Sequence, residues 1–461
     1  MQQTEKCMTF QETVEYLEEL KAKERNKERG FGADLLCEKS GYPQKALSFI
    51  QITGSNGKSS VLAFLSGVLK ACGYRTGSYI SPALLEQREK IQINGRPISK
   101  KEYCRQITGL REMCRELERE GKSAPTVYAL ERAMAFQYFK EQGCQIVVWE
   151  TSLDEWAEDD KRIPNVLVYV FTSTGLEHKG ILEKGLRKEG KDQGDIQDRI
   201  AVAAKSRPEV MELLQKRTED LKIPLFAADL SKVSGIRRNL KRQIFSCQEY
   251  ENLTTSLLGT CQVENGALAI AALKQLKEKG FAIPEKAVHK GFAAAALPCR
   301  FQILAKRPYF IVDGAKDGEG AEKLAETLRF YFAGRRLIYI IGMLRDKRRE
   351  KEGEPDCAEE NIPLAGSLLR ACPPAEQVLT IPTKGEGGLS SYESACMVRE
   401  YHDRVTAADS VEEAAELAYL LADRDTVIVA FGCLSGMGDF IRYVEKKNEN
   451  SIVNDPAGRK E

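Results

Sequence analysis

Leu47-Ser48-Phe49-Ile50-Gln51-Ile52-Thr53-Gly54-Ser55-Asn56-Gly57-Lys58-Ser59-Ser60 is a short apolar run ending on a glycine loop, and residues 61–72 behind it carry apolar side chains at helical spacing. Strand, loop and helix in that order form the setting in which backbone N–H groups cradle phosphate. Gly54 and Gly57 permit the turn and the close approach of backbone to phosphate oxygens. Lys58 supplies a positive charge for the β- and γ-phosphates, and Ser59 or Ser60 can place a hydroxyl on Mg²⁺. Gly54, Ser55, Asn56, Gly57, Lys58, Ser59 and Ser60 are therefore the candidate nucleotide-binding residues, and ATP is the expected nucleotide. The eight-residue phosphate-loop pattern is incomplete, because Ile52 stands where its first glycine would fall.

Outward from this loop the βα rhythm repeats. Residues 8–24 predict a leading helix, 77–80 a strand, 100–120 and 129–142 two helices. Gln145-Ile146-Val147-Val148-Trp149-Glu150 predicts a strand ending on a carboxylate, and 165–172 another. Near-continuous β-branched runs separated by helices mean a parallel sheet covered on both faces. The charged segment 177–197 has no clean period and reads as loop leading into a short helix over 198–205. A helix follows at 263–278. Beyond a composition break near 297, strands at 309–313, 337–341 and 426–431 and a helix at 320–332 predict a second α/β domain. The expected domains are 1–296, 297–445 and a flexible tail at 446–461.

With 461 residues, 42% hydrophobic and 30% charged, the chain has the make-up of a globular protein of two or three domains. The net charge of +1 offers no global field for nucleic acid or an anionic membrane. No apolar run reaches the roughly 18 residues that span a bilayer, and the polar N-terminal stretch does not resemble a signal peptide, so a cytoplasmic protein is expected. Thirteen cysteines without a CxxC pair read as reduced thiols, and three histidines argue against a histidine-rich metal site.

Glu150 falls at the carboxyl end of one predicted parallel strand and His178 just after the next, where ligands of open α/β sheets gather. A hydroxyl, a carboxylate and an imidazole converging there can hold a divalent cation. By itself a strand-end glutamate is also an ordinary solvated carboxylate, and a histidine after a strand an ordinary turn residue.

The stretch from Ser48 to Gly95 resembles the folylpolyglutamate synthase and dihydrofolate synthase family, a branch of the Mur-type ATP-dependent amide ligases. Gly54 to Ser60 is similar to that family's GTNGKGS, Ser81-Pro82-Ala83-Leu84 to SPHL, and Glu89-Lys90-Ile91 with Asn94-Gly95 to ERI with NG. Glu150 falls at the glutamate of EVGLGG, and Thr174-Gly175-Leu176-Glu177-His178 is similar to IGLDH. Leu258-Gly259-Thr260-Cys261-Gln262 with Asn265 resembles LGxHQxxN, Pro298-Cys299-Arg300-Phe301 resembles PGRFE, Asp313-Gly314-Ala315 resembles DGAHN, and Gly342 with Asp346-Lys347 resembles GxxxDKD. The resemblance covers about 45–440.

This resemblance implies a P-loop ATPase domain with a parallel sheet, followed by a smaller Rossmann-like α/β domain. It also implies ATP and Mg²⁺, an acyl-phosphate intermediate, and L-glutamate added to a folate-like carboxylate by a monomer. By motif position it makes Ser60, Glu150 and His178 metal ligands, and Gln262, Asn265, Arg300 and Asp313 nucleotide contacts. Lys58, Glu150, His178 and Lys205 become the catalytic set. Lys205 enters through Ile200 to Ser206, which is most similar to the family's IAxEKAGI segment with its carbamylated lysine, although strict spacing lands on Ala204. The chain departs from the family at Ala83, Cys261, Cys299, Gln302 and Lys316-Asp317, and throughout 151–161. Two other readings therefore stand beside the first: a Mur-type ligase with a different acid and amine, and a nucleotide-binding paralogue with weakened catalysis.

Overall fold

A computed structural model describes residues 7–24, 31–153, 156, 163–174, 199–345, 364–385 and 387–454. The chain divides into two compact units, Met1–Lys232 with Glu264–Ala294, and Val233–Val263 with Ala295–Glu461. The second unit thus takes in Val233–Val263, which the sequence left with the first.

The first unit holds strands β1 (Phe49–Thr53), β2 (Thr76–Tyr79), β3 (Ile91–Ile93), β4 (Arg96–Pro97), β5 (Ile146–Glu150), β6 (Val166–Phe171), β7 (Ile200–Ala203) and β8 (Leu225–Ala227). They form one sheet in the order β4-β3-β2-β5-β1-β6-β7-β8. β2, β5, β1, β6, β7 and β8 run parallel, and an antiparallel β3-β4 hairpin on the turn Asn94-Gly95 closes one edge. Its helices are α1 (Phe10–Ala22), α2 (Ala33–Lys39), α3 (Lys58–Ala71), α4 (Lys100–Arg119), α5 (Val127–Glu141), α6 (Pro208–Asp220), most of α7 (Gln262–Glu278), and α8 (Glu285–Ala294).

All five residues of β1 are buried, as a central parallel strand demands. On one face Trp149 stacks against Tyr79 at 4.0 Å and Phe136 at 4.7 Å, and meets Phe49 edge-on at 6.1 Å. Another aromatic contact joins α3 to α8, where Phe64 stacks on Phe292 at 4.6 Å.

The second unit carries an antiparallel sheet of β9 (Val233–Asn239), β10 (Arg242–Cys247) and β11 (Tyr250–Thr255). Its main sheet runs β12 (Gln302–Lys306), β13 (Tyr309–Val312), β17 (Val427–Gly432), β14 (Leu337–Gly342), β15 (Gln377–Thr380), β16 (Val405–Ala407), parallel except at the β12-β13 pair. The helices α9 (Gly318–Phe332), α10 (Leu364–Ala371), α11 (Ser391–Arg399), α12 (Val411–Leu421) and α13 (Met437–Asn454) belong to this unit.

Two expectations are corrected. Residues 198–205 form no helix where described. Ile200–Ala203 is strand β7, hydrogen-bonded between β6 and β8, with Ala201, Val202 and Ala203 fully buried. The alanines favour a helix intrinsically, but pairing on both sides overrides that preference. The stretch 446–461 is not simply a tail either, since α13 continues to Asn454. Phe440 and Val444 anchor that helix in the core, and Asn448 Nδ2 donates to Leu304 O at 3.1 Å. No helix among the described residues is long and apolar enough to cross a membrane, and the described cysteines are free thiols.

Candidate active site

The loop between β1 and α3 is held on the end of β6. Ser55 N and Asn56 N both donate to Ser173 O, at 3.0 and 3.2 Å, and Thr172 N donates to Thr53 O at 2.8 Å. The N–H groups of Ser55 and Asn56 are thus committed to the protein. The first turn of α3 adds N–H groups that have no intrahelical acceptors. Gly57 caps that helix with φ 88°, and Gly54 turns the chain off β1 with φ 131°. Asn265 lies over the loop, because a Cβ built on Gly57 would meet its Oδ1 at 2.4 Å. The structure therefore brings Asn265 to the phosphate loop.

Lys58 Nζ folds back to donate to Gly54 O at 2.6 Å and Ser55 O at 2.9 Å, bracing the turn it belongs to. Among the described residues, Ser55 Oγ and Thr53 Oγ1 are buried without a hydrogen-bond partner. Orphaned hydroxyls at a glycine loop are what a site built for a polar ligand leaves behind when only protein atoms are counted. Glu150, 3% exposed at the end of β5, accepts a 2.9 Å hydrogen bond from Ser59 Oγ. Ser60, the hydroxyl indicated by motif position, is buried at 1% exposure. A carboxylate and a hydroxyl are hard oxygen donors, and they fit Mg²⁺.

His178 lies outside the described residues, as do Glu177, Asp346, Lys347 and most of 151–161. Lys205 is described. It is an exposed residue just beyond β7, not the helical lysine that the motif comparison required. Sequence reasoning placed Glu89 in the ERI-like motif without giving it a role; its Oε2 accepts from Leu84 N at 3.2 Å and Leu85 N at 3.0 Å and so shapes the loop after Ser81. Lys90 beside it pairs with the buried Glu131 at 2.7 Å.

In the second unit Gln262 starts α7, 2% exposed, with its N–H on Gly259 O at 3.0 Å. Asp313, just past β13, accepts from Phe301 N at 2.7 Å and from Ala315 N at 2.8 Å. Burial pushes its carboxyl above the usual range, while the Arg300 guanidinium and the two N–H donors pull it back. Cys299 and Phe301, which flank Arg300, hold φ of 55° and 47°. Asp313 fixes this left-handed turn, and so it positions Arg300. Lys316-Asp317 also has a structural use: Asp317 Oδ1 caps α9 through Gly320 N at 2.8 Å.

Asp313→Asn tests the positioning role. An amide has one acceptor oxygen, so one of the two N–H groups loses its partner, at a cost of about 1–3 kcal/mol. Relief of the buried charge offsets part of that. The expected result is a lower urea midpoint with an unchanged slope, and an unchanged midpoint would remove the role.

Two mostly parallel α/β units, the first carrying a phosphate loop, define a nucleotide-binding protein built on the Mur ligase plan. The model of the Mur ligase glutamate ligase domain matches residues 299–434. The Bacillus subtilis dihydrofolate synthase/folylpolyglutamate synthase is 32% identical over 321 residues, covering 68% of this chain and 74% of that protein. The Mycobacterium tuberculosis protein of the same name is 26% identical over 410 residues, covering 83% and 80%. The solved structure of Mycobacterium tuberculosis folylpolyglutamate synthase complexed with ADP superposes with a TM-score of 0.81 at 23% identity, over 94% of this chain and 99% of that one. This chain belongs to the dihydrofolate synthase/folylpolyglutamate synthase family. It is accordingly an ATP-dependent carboxylate–amine ligase.

Proposed function

We propose that this ligase joins L-glutamate to the carboxylate of a folate-type acid, using ATP with Mg²⁺. The observation that carries the reading is the phosphate loop of a family member with Lys58, Asn265 and the Ser59–Glu150 pair gathered on it. ATP phosphorylates the acid's carboxylate to an acyl phosphate, the amine of glutamate attacks the acyl carbon, and phosphate leaves as the amide forms. Glu150 and a loop hydroxyl would hold Mg²⁺, which would supply positive charge against the phosphates. Lys58 and the first N–H groups of α3 do the same from the protein side, and such pre-aimed donors supply most of the rate enhancement in phosphoryl transfer.

The metal set drawn from the motif includes His178, and the nucleotide contacts include Gln262, Arg300 and Asp313. These remain part of the proposal. Asp313 enters it through Arg300. A monomer is the expected working form.

The test is ADP release and product mass with purified protein, ATP, Mg²⁺, glutamate and a panel of reduced folates and dihydropteroate. Glutamate-dependent ADP release with a folate acceptor is the expected result. Turnover only with a different acid, or tight ATP binding with no turnover on any acceptor, overturns the substrate assignment.

A further inference from the structure

Ser59 stands where the similar family motif, GTNGKGS, has its third glycine. It is the second residue of α3, and the α-helix turns about 100° per residue, so Ser59 and Ser60 leave the helix in different directions. The one whose hydroxyl reaches Glu150 is Ser59, at 2.9 Å, with its residue 9% exposed and Glu150 3% exposed. A serine hydroxyl has one proton and two lone pairs. With the proton given to the carboxylate, the lone pairs are left to face a cation. Through Ser59 the Glu150 carboxylate is held at the first turn of α3, where the positive end of the helix favours an ionised carboxylate.

We infer that Ser59 is the positioning residue for Glu150 and supplies the loop hydroxyl of the cation site, the place that motif position gives to Ser60. The inference rests on the ATP-ligase reading for the existence of that cation site. Replacing an oriented metal-site partner typically costs 10–100-fold in metal affinity. Ser59→Ala is therefore expected to weaken divalent-cation binding about tenfold or more, and Ser59→Thr, which keeps the hydroxyl, to stay within about threefold of the original protein.

The measurement is Mn²⁺ binding to the full chain with saturating ADP, followed by electron paramagnetic resonance, beside ADP affinity in EDTA. Selective loss of Mn²⁺ affinity in Ser59→Ala, restored in Ser59→Thr, supports the inference. Equal Mn²⁺ affinity in Ser59→Ala and the original protein overturns it. So does a larger loss in Ser60→Ala, or a matching fall of metal-free ADP affinity in Ser59→Ala, which would mark a distorted loop. If the unaltered chain binds ADP but no Mn²⁺, this inference fails while the phosphate loop stands. If it binds neither, the proposed function falls with it.

Discussion

Lys58→Ala is expected to lower ATP-dependent turnover by at least about 10²–10³-fold, the loss seen when one preorganised donor to a developing anion is removed. The side chain has two tasks in this fold. Its ammonium supplies the only cation in the segment 47–60, placed where the β- and γ-phosphates of a nucleotide lie over the loop. It also donates to Gly54 O and Ser55 O, so its removal unties the turn from the helix that follows. Both losses act on nucleotide, and calorimetric ADP affinity should fall together with the rate of ADP release. Lys58→Arg separates them in part. It keeps the charge, but a planar guanidinium cannot reproduce the contact of a compact ammonium with these two carbonyls, so little activity should return. Unchanged ADP affinity and rate in Lys58→Ala would refute the assignment of this loop.

Why this loop was legible and its surroundings less so follows from the kind of signal each residue carries. β1 is buried on both faces, so its apolar run marks it directly, and the loop glycines and Lys58 are constrained by local backbone and charge. Glu150 was readable as a strand end for the same reason. Which serine faces it was not, because a motif orders residues along the chain and says nothing of the angle between successive helical positions. The strand Ile200–Ala203 was misread because its alanines carry a helix preference, and only its neighbours β6 and β8 decide otherwise. With that, Lys205 lost its helix. The antiparallel sheet of Val233–Thr255 gave no alternating apolar pattern, since β9 is largely exposed. One inward position of β10 is Gln243, satisfied there by Leu257 O at 2.6 Å and Gly259 O at 2.8 Å. Asp313 was found by motif, but its work on the turn around Arg300 needed the two N–H bonds to be seen.

Gly54→Ala is expected to be the most damaging single-methyl change in the loop. At φ 131° an L-residue is strained by about 1–3 kcal/mol before any neighbour is considered. The added Cβ would then lie 2.3 Å from Thr172 Oγ1 and 2.9 Å from Thr172 O. The hydroxyl can rotate away, but the carbonyl cannot, because Thr172 is tied through its N–H to Thr53 O at the end of the central strand pair β1-β6. Relief has to come from the loop itself, which would swing off β6 and break the bonds of Ser55 N and Asn56 N to Ser173 O. Gly57→Ala makes the instructive comparison. Its Cβ would meet Asn265 Oδ1, the far end of a side chain, which can turn aside and take one polar group off the loop with little backbone movement. The larger drop in thermal midpoint is therefore expected for Gly54→Ala, at roughly 2–4 °C for each kcal/mol in a unit of this size. Both variants should lose ADP affinity, Gly54→Ala more. A Gly57→Ala variant less stable than Gly54→Ala would mean that Asn265 is held rigidly against the loop and that the Thr172 carbonyl yields, reversing which neighbour sets the shape of the phosphate site.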